Sequence, residues 1–466
     1  MAKSSGRNSR KTDVNAAAGT TAEEPTRALV IVPVLPLRFS EGARNDDSGG
    51  YSREFQRSDE ARLEEAIGLA KAIDLDIVFS DIVQVAAPRP ATLLGTGKVE
   101  TIAEIVKGNH AELVIVDHAL TPVQQRNLEK EWNAKVLDRT GLILEIFGRR
   151  AQTKEGALQV ELAHLTYQKG RLVRSWTHLE RQRGGGGFLG GPGETQIEAD
   201  RRALQEKILR IKRELETVVR TRSLHRSKRK KVPHPVVALV GYTNAGKSTL
   251  FNRMTGAGVV AEDMLFATLD PTLRRIRLEH GETIILSDTV GFISNLPTHL
   301  VAAFRATLEE VVEADLILHI RDISDPDTAA QAEDVHAIMA SLGIERGDTR
   351  RIIEVWNKID LLDDAGREAA HRLSAASVGD EHPLPVSAVT GEGVDVLLRE
   401  IENRIAGKLQ RITITLNQHQ LRLVDWVYQH ASNVDRTDLE DGSVKISMDM
   451  TATSKQGLEE KLGQPI

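Results

Sequence analysis

The chain has 466 residues, 40% hydrophobic and 27% charged, the make-up of an ordinary soluble globular protein with room for about three domains. It contains no cysteine, which excludes disulfides, thiolate metal sites and cysteine nucleophiles. A net charge of −6 gives no overall pull towards nucleic acid, yet between Arg201 and Lys231 there are 13 Lys or Arg against 3 Asp or Glu, a local basic footprint.

Residues 1–26 are rich in Ser, Thr, Ala, Gly and charge without an apolar run, so a disordered tail is expected rather than a signal peptide. No segment approaches the roughly 20 apolar residues of a membrane helix, and a cytoplasmic protein without a membrane span is expected. Residues 27–150 alternate short apolar runs with helical patterns. Ala28–Leu35, Ile77–Val85, Leu113–Val116 and Lys135–Leu137 read as strands, and Asp59–Ala72, Lys98–Lys107 and Pro122–Trp132 as helices. Such alternation predicts a small N-terminal α/β domain with a mainly parallel sheet. The polar stretch Gly42–Gly50 reads as a mobile loop.

Residues 151–231 carry two helical patterns. Leu158, Leu162, Leu165, Leu172, Trp176 and Leu179 form one apolar seam, and Ile197, Leu204, Ile208, Ile211, Leu215 and Val218 the other. Seams of this period predict a long antiparallel helical hairpin, whose tip runs from Arg181 to Gln196 and is rich in glycine. Arg226–Lys231 with Pro233 and Pro235 reads as a linker. Residues 232–408 read as a P-loop G domain with a doubly wound sheet, and 411–466 as a small C-terminal α+β domain of β-α-β-β-α pattern. Leu416–His419 carries no readable motif.

The chemistry lies in the G domain. The β-branched run Val236–Val240 leads into Gly241, Tyr242, Thr243, Asn244, Ala245, Gly246, Lys247 and Ser248, and a helix follows from Thr249. This is GxxxxGKS in the strand–loop–helix context that gives it meaning: amides cradle phosphates, Lys247 reaches the β and γ phosphates, and Ser248 ligates Mg²⁺. Asp288-Thr-Val-Gly291 closes a strand; Asp288 is expected to hold a water on Mg²⁺, and the Gly291 N–H to sense the γ-phosphate. Asn357-Lys358-Ile359-Asp360 closes another, with Asp360 accepting from the N1–H and exocyclic amine of guanine. Ser387-Ala388 is where backbone N–H is expected to meet the guanine O6 oxygen. In Phe266–Thr272, Thr268 is the choice for the second Mg²⁺ hydroxyl and Thr272 the alternative. Lys247, Thr268 and Gly291 are the residues expected to act on the reacting phosphate.

With its glycine-rich tip ending Gly-Pro-Gly-Glu-Thr-Gln196, Phe266–Thr272, and Asp288-Thr-Val-Gly-Phe-Ile293, the chain resembles the HflX family of ribosome-associated GTPases. The likeness runs from about Leu29 to Lys408 and takes in Leu94-Gly-Thr-Gly-Lys98 and Leu158–Ala163. It implies binding to the large ribosomal subunit, a tip inserted towards the peptidyl-transferase region, and splitting of stalled or stress-damaged ribosomes. It also implies adenine-nucleotide binding and RNA unwinding by the N-terminal domain, although Leu94–Lys98 lacks phosphate-loop spacing. Arg181, Arg183, Gly185, Phe188 and Gly191 would then contact ribosomal RNA; a solvated coiled-coil arm with a flexible turn is the alternative.

Two details bear on mechanism. Phe292 stands where many switch GTPases place a water-orienting glutamine, which predicts slow intrinsic hydrolysis. Asn244 stands where potassium-activated relatives coordinate K⁺, with bracing of the loop as the other reading. A monomer is expected. The competing functions are a large-subunit assembly GTPase, an ATP-driven RNA helicase centred on the N-terminal domain, and a G protein regulating a protein partner.

Overall fold

The computed structural model describes residues 25–36, 57–182, 192–229, 234–256, 265–266, 268–269, 271–294, 305–376, 382–407, 409–439 and 441–466; side chains are undescribed at 172–182, 192–198, 222–229 and 305–307. The tail up to residue 24 and the stretch Gly42–Gly50 lie outside these residues.

The N-terminal part holds β1 (Arg27–Val34), α1 (Asp59–Lys71), β2 (Asp76–Gln84), α2 (Thr96–Gly108), β3 (Leu113–Val116), α3 (Pro122–Trp132), β4 (Lys135–Asp138) and α4 (Arg139–Arg150). Its four strands are all parallel, in the order β2-β1-β3-β4. The start of α3 is written in its residues: Thr121 caps it in a reciprocal capping box with Gln124, and Pro122 occupies the first turn. Helix α4 was not foreseen. Asp138 both ends β4 and caps it; Thr140 to Leu144, Ile146 and Phe147 are buried, while Glu145 and Arg149 lie exposed.

Two long helices follow, α5 (Lys154–Gln182) and α6 (Pro192–Arg229). Leu158, Leu165, Ile208 and Ile211 form the seam between them, with Leu162, Leu204, Leu215 and Val218 packed alongside. Helix α6 runs through Arg229, so the basic stretch from Arg226 begins inside the helix instead of in a linker. The base of α5 is tied to the N-terminal sheet: Tyr167 donates to Asp138 Oδ1 at 2.6 Å, and Arg171 pairs with Asp138 at 3.1 Å. Leu172, Trp176, Leu179 and Ile197 fall among the undescribed side chains.

The G-domain sheet comprises β5 (Val236–Gly241), β6 (Thr272–Arg277), β7 (Thr283–Asp288), β8 (Leu316–Asp322), β9 (Ile352–Asn357) and β10 (Leu384–Pro385), in the order β10-β9-β8-β5-β7-β6. Every pairing is parallel except β6 with β7. Alternation along β5 splits the core: Val237 and Leu239 face one cluster, Ala238 and Val240 another. The second cluster is continuous with α1 and α4, through Ala66, Leu69, Leu142 to Leu144 and Phe147, and with Val30 and Val32 of β1. The N-terminal and G-domain sheets therefore share one core. After the G domain come β11 (Gln410–Leu416), β12 (Ser432–Asp438) and β13 (Val444–Met450), antiparallel in the order β11-β13-β12, with helices Val424–His430 and Ala452–Leu462. The unread Leu416–His419 stretch is a capping box between Asn417 and Gln420 that opens a short 3₁₀ turn.

One buried feature makes stability depend on pH. His319 in β8 is 1% exposed, sits edge-on to His336 at 4.8 Å, and neither of its ring nitrogens has a partner among the described residues. Burial pushes it well below the ordinary 6.5, and His336 and Arg321 add to the fall. Above about pH 6.5 the ring is neutral folded and unfolded, and its titration contributes nothing to stability. As pH drops below that, the unfolded chain takes up a proton that the fold refuses, and stability is lost. The ring should pull the melting temperature down between pH 7 and 5, and His319→Phe should remove that part of the pH dependence relative to the parent. Parallel slopes would clear the ring.

Candidate nucleotide site

Strand β5 ends at Gly241, and helix α7 (Lys247–Thr255) starts six residues later with its N-terminus facing the loop between them. Gly246 turns the chain at φ 86°, and a Cβ there would collide with the Asn357 amide. Lys247 is 6% exposed, and its ammonium donates to the Tyr242 carbonyl at 2.7 Å. Burial brings it down to about 8, with Asp288 opposing and Lys358 adding to the fall. Asn244 is exposed in a left-handed conformation at φ 60°, and among the described residues no hydrogen bond from its side chain braces the loop.

Three oxygens from three segments converge at the start of α7. Ser248 Oγ donates to Asp288 Oδ2 at 2.7 Å, Thr268 Oγ1 donates to the same oxygen at 3.0 Å, and the two hydroxyls are 2.9 Å apart. Asp288 Oδ1 is buried without a partner among the described residues. Burial pushes this carboxyl up, against the hydroxyl of Ser248 and the ammonium of Lys247. A hard oxygen set with a spare buried carboxylate oxygen fits Mg²⁺ and a water bound to it. Thr272, the alternative, opens β6 opposite Asp288 in the ladder.

Gly291 lies against the phosphate loop: a Cβ there would stand 2.9 Å from Thr243 Cα and 3.1 Å from the Lys247 ammonium. The next residue staples the two segments together. Phe292 N–H donates to Gly241 O at 3.1 Å, and its carbonyl accepts from Thr243 N at 2.7 Å. Its ring is 1% exposed, inside the core shared with the N-terminal helices.

On the base side, Asn357 braces two loops at once. Its amide donates to Ala245 O at 2.8 Å, and its oxygen accepts from Ala388 N at 3.0 Å. Lys358 pairs with Asp322 at 2.8 Å. Asp360 Oδ1 is buried without a partner among the described residues, an orphan acceptor suited to a base edge. The Ser387 N–H is engaged with Glu392 O and the Ala388 N–H with Asn357, so a guanine O6 would share the Ala388 amide or meet the next one along. Thr249 lies within the first turn of α7, on the same helix start as Ser248. Arg183, Gly185, Phe188 and Gly191 lie outside the described residues, as does the Arg181 side chain.

Four family models match successive stretches: GTP-binding GTPase N-terminal over 60–148, GTP-binding GTPase middle region over 150–229, 50S ribosome-binding GTPase over 236–358, and HflX C-terminal domain over 373–465. The GTPase HflX of Magnetococcus marinus is 49% identical over 81% of this chain and 86% of its own. The chain belongs to the HflX family of GTPases. The family's Escherichia coli K12 member is 47% identical, over 78% of this chain and 84% of its own. A GTP-binding protein of Sulfolobus solfataricus, solved with GDP, superposes with a TM-score of 0.41 at 22% identity, covering 81% of this chain and 98% of its own. Among the described residues no helix is long and apolar enough to cross a membrane.

Proposed function

We propose that this GTPase acts on the large ribosomal subunit and separates stalled or stress-damaged ribosomes, with the ribosome stimulating hydrolysis. The observation that carries this reading is the pairing of a GTP site with the α5–α6 hairpin. Helix α6 is strongly basic, and the hairpin is rooted on the N-terminal sheet through Tyr167, Arg171 and Asp138. Arginines and lysines along such an arm neutralise RNA phosphates, and glycines let its end enter a narrow cavity. The match of residues 236–358 to a 50S ribosome-binding GTPase model supports the same partner.

In the proposed mechanism the amides from Asn244 to Thr249 and the Lys247 ammonium hold the phosphates, the Thr243 N–H being spent on the Phe292 carbonyl, while Asp360 and the Ser387–Ala388 loop select guanine. Ser248 and Thr268 would hold Mg²⁺, and Asp288 a water on it. The metal supplies charge neutralisation as the γ-phosphate departs. Gly291 presents its N–H to that phosphate from the switch it begins. Phe292 has no group with which to orient the attacking water and its ring is turned into the core, so the missing element must come from the partner. K⁺ beside Asn244 would add positive charge on the same side.

Arg181, Arg183, Gly185, Phe188 and Gly191 are proposed to meet ribosomal RNA near the peptidyl-transferase region. A connection between antiparallel helices needs about 2–8 residues. With Pro192 and Gly193 already in α6, the connection from Arg183 to Gly191 is still longer, and its six glycines are costly to order without a partner. Replacing that stretch by a short Gly-Ser turn should leave GTP binding intact and abolish subunit separation on a density gradient. Neutralising Arg181 and Arg183 should weaken ribosome binding and flatten its salt dependence. A shortened tip that separates subunits at the parent rate would return the hairpin to a structural arm. A protein that binds large subunits and leaves intact ribosomes whole would instead be an assembly factor.

A further inference from the structure

Helices α1 and α4 lie more than 90 residues before the phosphate loop in sequence, yet they reach three of its nucleotide-contacting segments. Glu65 of α1 and Arg139 of α4 are 8% and 7% exposed, and pair at 2.5 Å. Arg139 also pairs with Asp117 at 2.5 Å, and Glu65 with Arg57. Into this cluster comes Tyr242 of the phosphate loop, 4% exposed, whose hydroxyl donates to Glu65 and accepts from Arg57 at 2.8 Å. Ser294, three residues after Gly291, closes the circuit. Its N–H donates to the Tyr242 hydroxyl at 2.8 Å, and its carbonyl accepts from Arg139 at 2.9 Å.

Burial pushes the Glu65 carboxyl up, but the guanidinium groups of Arg139 and Arg57 and the Tyr242 hydroxyl hold it at about 2, so it is charged throughout the working range. A buried ionic cluster is weak support for stability, because apolar residues of the same volume often do as well; what it fixes is geometry. The same two helices hold the first switch. Phe266, two residues before Thr268, packs edge-on to Phe147 of α4 at 4.7 Å, and a Cβ on Gly68 of α1 would stand 3.0 Å from the Leu265 side chain.

We propose that Glu65 and Arg139 are positioning residues for GTP hydrolysis. Through the Tyr242 hydroxyl and the Ser294 backbone they hold the segment that follows Gly291 against the phosphate loop. The N-terminal helices and the γ-phosphate then act on one and the same switch position. This rests on the nucleotide site proposed above: with no GTP turnover in the parent chain, that reading fails and not this one.

The test is single-turnover hydrolysis of bound GTP, alongside GTP affinity and thermal melting, for Tyr242→Phe, Glu65→Gln and the double variant of the full chain. Tyr242→Phe keeps the buried ring and every ion pair, so it carries the test alone if the carboxamide variant does not fold. The hydrolysis rate should fall by about tenfold with GTP affinity within about threefold of the parent, since loss of a positioning hydrogen bond acts on the reacting geometry. The double variant should be no slower than the slower single one, because both break the same link. Rates unchanged or raised, rates and affinity falling together, or losses that multiply in the double variant would each overturn the proposal.

Discussion

Asp360→Asn should bind GTP about 10 to 100-fold more weakly and gain affinity for xanthosine triphosphate. Asp360 Oδ1 is buried without a partner among the described residues, in the 3₁₀ turn Ile359–Leu361 that follows β9. Guanine offers a donor pair, N1–H and the exocyclic amine, to a carboxylate. An amide in its place turns one acceptor into a donor facing a donor, and an unmatched buried polar group costs about 1–3 kcal/mol. Xanthine has a carbonyl where guanine has the amine, so the same amide finds a partner. An unchanged preference in competition titrations would move the base elsewhere.

Thr268→Ala should slow hydrolysis by about 10²–10³-fold, the usual loss when one preorganised group at the reacting charge is removed, with GDP affinity nearly intact. The hydroxyl is 2.9 Å from Ser248 and 3.0 Å from Asp288, in the oxygen set suited to Mg²⁺. Thr272 occupies a ladder position in β6, and Thr272→Ala should stay within about threefold of the parent by the same reasoning. If the two variants exchange phenotypes, Thr272 is the metal-side threonine.

Much of this was legible beforehand because the decisive residues are local. A β-branched run, a glycine turn and a helix start within 20 residues specify a phosphate loop, and Thr121, Pro122 and Gln124 specify the start of α3. Parallel order in the N-terminal sheet followed from strand–helix alternation. What stayed hidden is set by contacts between distant segments. Sequence shows that Tyr242 and Phe292 flank phosphate-contacting positions. It cannot show that one meets Glu65, 177 residues away, or that the other closes onto Gly241 through its backbone. Helix α4 was missed because it follows β4 directly, Asp138 ending the strand and capping the helix, with no turn residue between them to mark a boundary. The engagement of the Ser387 and Ala388 amides within the protein was equally out of reach, since a motif names residues and not the hydrogen bonds they already make.

The most direct test of a ribosome-completed GTPase is steady-state GTP turnover with and without purified large subunits, run in K⁺ and in Na⁺ buffers. Alone, the protein should turn over on the order of 10⁻⁴ to 10⁻² s⁻¹, the scale of GTPases without an external activator. Large subunits should raise that rate by about tenfold or more, and K⁺ should exceed Na⁺ if Asn244 helps to hold the ion. Equal rates in the two salts would remove the potassium role and leave the GTPase reading standing. Turnover that is already fast alone, or that large subunits leave unchanged, would contradict the account.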